Sequence, residues 1–178
     1  YRLSKATNNR VMISRSMPEA QQDDVITQLA SELSEAGKKV LLLDADLRQG
    51  TLFKHFDKTG EQGLADNLMN SDHSVVAVNQ YLDLVSGSSR PANPSELLMC
   101  PAFKELLEWA SSQYEVILIN VPPVLKATDA AIVGDLCDTS LVVIQAEATS
   151  IKDIEAANRR LQQAGVMVNG AVFIKIPE

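Results

Sequence analysis

Short apolar runs alternate along the chain with segments of helical periodicity, and this alternation constrains the fold more than any other feature. Most of the runs are continuous stretches of valine, isoleucine and leucine, which is typical of parallel strands covered on both faces. We therefore predict a doubly wound α/β fold with a mostly parallel sheet, extending over residues 1–178 as a single domain. Strands are predicted at 11–14, 39–44, 83–86, 116–120, 141–145 and 171–175, and helices at 24–37, 64–70, 95–112, 129–136 and 151–164.

The composition favours one globular unit and excludes one class of partner. A chain of 178 residues with 46% hydrophobic residues is long enough to bury a substantial core. The net charge of −7 gives nucleic acid no electrostatic reason to bind. Cys100 and Cys137 have no metal-ligand spacing and are interpreted as reduced thiols. No run approaches the ~20 apolar residues of a membrane helix. Because the chain starts at Tyr1 instead of Met, we expect it to be a fragment of a longer protein.

Local patterns add three expectations about the connecting segments. The run "NPSE" predicts a helix start with Asn93 as the N-cap and Glu96 closing a capping box. The loops at 46–63 and 71–80 are the most polar and are expected to be the least ordered. Trp109 lies on the apolar side of its predicted helix and is expected in the core.

Polar residues mark three predicted strand ends, where ligands bind in this class of fold. Asp44 and Asp46 follow one apolar strand, Asn120 ends another, and a polar turn follows the first. Carboxylates at such a position are able to hold Mg²⁺ or orient an attacking hydroxyl, although many strand-end aspartates only cap a turn. Asn120 offers a carbonyl oxygen but no negative charge for a divalent ion.

The turn between the first strand and the first helix has the position of a phosphate-binding loop but not its residues. Residues 16–23 read Ser-Met-Pro-Glu-Ala-Gln-Gln-Asp, against the template G-x-x-x-x-G-K-[ST]. Ser16 and Gln21 stand at the two glycine positions, Gln22 at the lysine and Asp23 at the hydroxyl. Glycine lets backbone N–H groups surround the phosphates, lysine neutralises them and the hydroxyl binds Mg²⁺. The loop is therefore predicted to bind polyphosphate poorly.

Longer stretches of the sequence resemble a known family. They are "LLLDADLRQG" at 41–50, "GLADNL" at 63–68, "NPSELL" at 93–98 and "YEVILINVPPVLKATDAAIVGDLCDTSLVVIQAEAT" at 114–149. These stretches resemble the cytoplasmic domain of bacterial tyrosine kinases (BY-kinases), which act with polysaccharide co-polymerases in capsule and exopolysaccharide export. The resemblance extends from residue 11 to residue 174 and implies a fold like that of the P-loop NTPases.

The resemblance also implies where the active-site motifs lie. The family's Walker A falls on residues 16–23, which retain only its central Pro18, and its Walker B aspartate falls on Asn120. Its Walker A′ falls on Asp44, Asp46 and Arg48 and is retained, and in the family these aspartates serve Mg²⁺ and the phosphoryl acceptor.

The family's features outside the active site are only partly present. The chain has three tyrosines and no C-terminal tyrosine cluster for autophosphorylation. The N-terminal helical motif of Glu and Arg that joins subunits into rings has only a partial counterpart in Tyr1, Arg2 and Lys5.

The substituted motifs predict a pseudokinase. Losing one electrostatic contact to a transferring phosphoryl group costs about 3–4 kcal/mol in the transition state, and several are absent here. Asp44 and Asp46 are then vestigial, and no cofactor is expected. Two alternatives remain: an active tyrosine autokinase or ATPase, and a switch that binds nucleotide without turnover. Either would use Mg-ATP or Mg-ADP, and the enzyme would use Asp44, Asp46 and either Arg48 or Lys126.

The resemblance further implies a cellular setting. We expect a scaffold or regulator in capsule or exopolysaccharide biosynthesis, located in the cytoplasm as a domain of a bacterial inner-membrane protein. Its expected partners are further copies of itself or components of polysaccharide export.

Overall fold

The computed structural model describes residues 8–18, 22–58, 63–87 and 89–175, and in it seven strands form one sheet. The strands are β1 (Arg10–Arg15), β2 (Val40–Asp44), β3 (Val76–Ala77), β4 (Leu82–Val85), β5 (Val116–Asn120), β6 (Thr139–Gln145) and β7 (Gly170–Ile174). Their order across the sheet is β3-β4-β2-β5-β1-β6-β7. All neighbouring strands are parallel except β3, which pairs antiparallel with β4 at one edge. The predicted doubly wound, mostly parallel α/β fold is confirmed.

Six α-helices are described, together with one 3₁₀-helix at Leu52–Phe56. The first and last long helices are followed by Gly37 and Gly165, both with positive φ, as expected for glycines that end helices. The α-helices are α1 (Gln22–Glu35), α2 (Leu64–Asn70), α3 (Pro94–Leu98), α4 (Pro101–Gln113), α5 (Asp129–Gly134) and α6 (Ile151–Gln163).

The sheet is covered on both faces by apolar side chains, which explains why its strands are continuously apolar. All five residues of β2 are buried. One core cluster joins alternate strand residues to α2, α4, α5 and α6, and includes the fully buried Phe103. The other joins the remaining strand residues to α1 and the 3₁₀-helix through Ile26 and Leu52.

Several local predictions were wrong in detail. The helix predicted over 95–112 is two helices, because Pro101 begins α4 and the preceding Cys100 takes an extended conformation with ψ of 151°. The capping box at Asn93 does not form: its amide donates to the Glu96 carboxylate instead of accepting a backbone N–H. Trp109 is only half-buried at the edge of the core, where its ring stacks on His73 with centroids 4.7 Å apart.

The polar loops also contain more structure than their composition indicates. Leu47 and Leu52 within 46–63 are fully buried, and the 3₁₀-helix begins at Leu52. The short strand β3 lies within 71–80. Among the described helices, none is both long and apolar enough to cross a membrane. Tyr1, Arg2 and Lys5, and the glycine-position residue Gln21, lie outside the described residues.

Candidate functional site

The three polar strand ends lie side by side at one edge of the sheet. Strands β2, β5 and β1 are neighbours, and the backbone register pairs Asp44 with Asn120 and Asn120 with Ile13. The carboxyl ends of parallel strands meet at one edge, which is where α/β proteins hold their ligands. We refer to the side chains of Arg15, Gln22, Asp44, Asp46 and Asn120 as the strand-end cluster.

Gln22 is directed back into the sheet. It is the first residue of α1 and its side chain is fully buried. Its Nε2 donates to the carbonyl oxygens of Ile13 at 2.7 Å and Val121 at 3.1 Å, and to Oδ1 of Asn120. Gln22 stands at the template's lysine position, and its side chain therefore binds oxygen atoms of β1 and of the carboxyl end of β5.

Asn120 continues this contact to β2. Its Nδ2 donates to Oδ1 of Asp44 at 3.0 Å, so Gln22, Asn120 and Asp44 form one buried hydrogen-bonded chain. Asp44 also accepts the backbone N–H groups of Asp46 and Leu52, each at 3.2 Å. Complete burial raises the pKa of Asp44 to about 7, against the opposing effect of the hydrogen bonds from Asn120 and from the backbone of Leu52.

Asp46 is nearly as buried as Asp44 and has a different set of partners. Its Oδ1 accepts the backbone N–H groups of Arg48 at 3.1 Å and Gln49 at 3.0 Å, which fixes the turn after β2. Burial raises the pKa of Asp46, while these two donors and the positive charge of Arg15 oppose that shift.

The first turn of α1 brings a third carboxylate close to the cluster. Asp23 accepts a hydrogen bond from Thr51 Oγ1 at 2.8 Å, and its other oxygen lies 3.8 Å from Nη1 of Arg15. The Ser16 hydroxyl is buried and has no hydrogen-bond partner within the described part of the chain. The negative charge of Asp23 raises the pKa of both Asp44 and Asp46.

Arg48 is directed away from these carboxylates. Its Nε lies 3.1 Å from Oδ2 of Asp129 and its Nη2 lies 3.2 Å from Oδ1, a bidentate ion pair. Ser95 Oγ joins the pair, 2.5 Å from Asp129 and 3.1 Å from Arg48. Sequence reasoning did not select Ser95 or Asp129 individually, although both lie in the runs that carried the family resemblance. Lys126 is exposed in the loop after β5.

Two glycines allow the turn after β2 to lie close against the loop after β4. A Cβ atom on Gly50 would lie 2.0 Å from the carbonyl oxygen of Gly87, and Gly50 has φ of +49°. A Cβ on Gly87 would lie 2.8 Å from the Asp44 carbonyl oxygen. Larger residues would therefore separate these loops.

Comparison with known proteins identifies the family. A family model described as an AAA domain matches residues 24–172. The solved kinase domain of the Escherichia coli tyrosine kinase ETK superposes with a TM-score of 0.91 at 34% identity, covering 97% of this chain and 69% of that one. The chain belongs to the bacterial tyrosine-kinase domain family.

Other members of the tyrosine-kinase family show the same relationship. The tyrosine-protein kinase ptk of Acinetobacter johnsonii is 38% identical over 97% of this chain and 24% of its own length. The chain thus spans about a quarter of the length of the curated relatives it matches. A ParA-family ATPase from Chlorobium tepidum, at 18% identity and a TM-score of 0.74 over 94% of this chain and 73% of that one, shares the fold.

Proposed function

We propose that this BY-kinase-family chain is catalytically inactive and acts as a scaffold or regulator in capsule or exopolysaccharide biosynthesis. The contact of Gln22 with Asn120 carries the proposal. The amide at the lysine position of the phosphate-binding template is committed to the sheet, where it has three acceptors. It is neutral, so it brings no charge to a phosphate.

The surrounding charges support the same conclusion. Asp23 stands where the template has a hydroxyl, and its carboxylate repels a polyphosphate at the N-terminus of α1. Asn120 occupies the tip of β5 with a neutral side chain that already binds both Gln22 and Asp44. Each missing contact to the transferring phosphoryl group costs about 3–4 kcal/mol, so the rate that remains is negligible.

The setting of this function is proposed from the relatives. One of them, from Klebsiella pneumoniae, carries a name that refers to a cps region and is 37% identical over 97% of this chain. We propose that the chain works on the cytoplasmic side of the inner membrane as part of a longer, membrane-anchored protein. Its proposed partners are further copies of itself or components of polysaccharide export.

Nucleotide calorimetry tests the inactive state directly. The purified chain is titrated with ATP and with ADP, each with and without Mg²⁺, up to millimolar nucleotide. We expect no binding heat and no transfer of labelled phosphate to tyrosine. The matched variant carries Gln21→Gly, Gln22→Lys, Asp23→Thr and Asn120→Asp, and binding by this variant alone would show that these positions are responsible.

The alternatives are a nucleotide switch and an active kinase, and the buried carboxylates of Asp44 and Asp46 favour them. Binding of ATP or ADP to the unaltered chain at micromolar concentration would refute the prediction that the chain has no cofactor. Phosphorylation that Asp46→Ala abolishes would then identify an enzyme, whereas binding without phosphorylation would identify a switch. Arg48 contributes little to either alternative while it is paired with Asp129.

A further inference from the structure

One edge of the sheet has no covering strand. β7 pairs with β6 and, among the described strands, has no neighbour on its other side. Such an edge presents a row of backbone N–H and C=O groups that acts as a template for another strand. The opposite edge is protected, because β3 has only two residues and runs antiparallel to β4. β7 has five residues, none of them charged and none a proline, so it lacks the usual protection of an edge strand.

Exposed apolar side chains accompany the β7 edge. Phe173 is 76% exposed, and Ile151, the first residue of α6, is 74% exposed. Both lie at the carboxyl end of the sheet, since Phe173 is next to the last residue of β7 and α6 begins shortly after β6 ends. Ile174 packs against the core cluster that contains α1, so the alternation of side chains places Phe173 on the other face, which α6 covers. Apolar groups exposed at one place are typical of an interaction surface.

The sequence of β7 is complementary to itself. If two copies of β7 pair antiparallel with a two-fold axis at Val172, Phe173 lies opposite Ala171 and Ile174 lies opposite Gly170. Each large side chain then faces a small one on the same face of the sheet. The contact is isologous, because the same residues of both copies form it.

The helices that cover this face fit the same arrangement. α6 connects β6 to β7, which are adjacent and parallel, so a right-handed crossover places α6 over these two strands. Neighbouring strands are about 4.8 Å apart, so pairing of β7 with its copy brings the two α6 helices to about 10 Å from each other. Packed helices are separated by about 8–10 Å. The two helices therefore meet when the two strands pair, and Phe173 of each copy lies beneath their contact.

We propose that the β7 edge binds a second copy of this chain, with the two β7 strands antiparallel and the two α6 helices packed together. The free backbone groups select an extended strand as the partner, and the self-complementary side chains select another β7. β7 brings no like charges into a contact between copies that each carry a net charge of −7. The inference names the surface for the self-association in the proposed function and rests on that proposal for the identity of the partner.

Sedimentation velocity over a range of chain concentrations up to millimolar tests this inference. The unaltered chain should form a dimer. Phe173→Lys places a charge within the contact and should raise the dimer dissociation constant at least about tenfold. Since Phe173 is mostly exposed, this variant should keep the circular dichroism spectrum of the unaltered chain. Met69→Lys, at a residue of α2 that is 64% exposed, is the matched control and should dimerise like the unaltered chain.

Disulfide trapping tests the register of the two strands. Val172→Cys, made together with Cys100→Ser, places a thiol at the two-fold axis, opposite its copy. Oxidised glutathione should convert these two thiols into an intermolecular disulfide, taking up the two electrons and two protons that they release. Ala77→Cys in the same background is the control, because Ala77 is exposed on β3 at the opposite edge and should give no such disulfide.

Three results would each overturn the inference. They are a chain that stays monomeric at every concentration, a dimer that Phe173→Lys does not weaken, and a dimer in which Val172→Cys forms no more intermolecular disulfide than Ala77→Cys. The disulfide comparison holds even if Phe173→Lys does not fold. No nucleotide is present in these measurements, so a monomer here is distinct from failure of the proposed inactive state, which the ATP titration detects.

Discussion

Replacing Asp44 by asparagine should change how the stability of this protein depends on pH. Burial raises the pKa of Asp44 from its ordinary value of 3.8 to about 7. A carboxyl group whose pKa is higher in the folded protein contributes stability that is fully present below pH 3.8 and is lost as pH rises through about 7. Three pKa units correspond to about 4 kcal/mol, with a slope of at most about 1.4 kcal/mol per pH unit.

The structure also gives the cost of the substitution. An asparagine at 44 keeps one oxygen for Asn120 and Asp46, but its NH₂ group meets the backbone N–H of Leu52. Leaving that donor unpaired costs about 1–3 kcal/mol at every pH. Asp44→Asn should therefore gain stability relative to the unaltered chain as pH rises from about 5, and it should be the more stable of the two above about pH 7.5.

Urea denaturation followed by circular dichroism between about pH 5 and about pH 8.5 measures both curves. Asp135 is exposed, so Asp135→Asn is the control, and its free energy of unfolding should depend on pH in the same way as that of the unaltered chain. Hydrogen bonds lower the pKa of Asp66 and of Glu115. These two groups therefore change the stability only in more acidic solution and do not affect its slope in the measured pH range. Equal slopes for Asp44→Asn and the unaltered chain would refute the reasoning, as would stability that increases with pH in both.

Three further outcomes are expected. Gly50→Ala should lower the free energy of unfolding in urea by about 3 kcal/mol or more, because its Cβ meets the Gly87 carbonyl, whereas Gly37→Ala, with nothing within 4 Å, should cost only about 1 kcal/mol. Ser150→Ala removes the N-cap hydrogen bond of α6 and should cost about 1 kcal/mol, and no change would contradict this role. The Cys137 thiol, whose pKa burial raises to about 12, should react with iodoacetamide at pH 8 far more slowly in the folded chain than in urea.

Sequence reasoning predicted the elements of the fold well because their signals are local. Continuous apolar runs such as β2 appear only where both faces of a strand are covered, and β2 is indeed wholly buried. The prediction was wrong where a single residue outweighs periodicity. The helix predicted over 95–112 divides because of Pro101, although the apolar pattern continues across the break.

At the candidate site, the order of residues is enough to place particular groups at the three strand ends. It supplied two neutral amides, a pair of aspartates and an acidic first turn of α1. Parallel pairing then requires that these ends meet at one edge. These features follow from residue order and from the geometry of parallel strands.

Which of these groups contact one another depends on how distant elements of the chain pack. Gln22 meets Asn120 across 98 positions of sequence, and Arg48 meets Asp129 across 81. Whether Arg48 faces the Asp44 carboxylate or Asp129 depends on how α5 packs beside the turn after β2. The burial that raises the pKa of Asp44 likewise comes from elements distant in sequence. Such contacts depend on packing and on shared desolvation, and neither is encoded in a local pattern of residues.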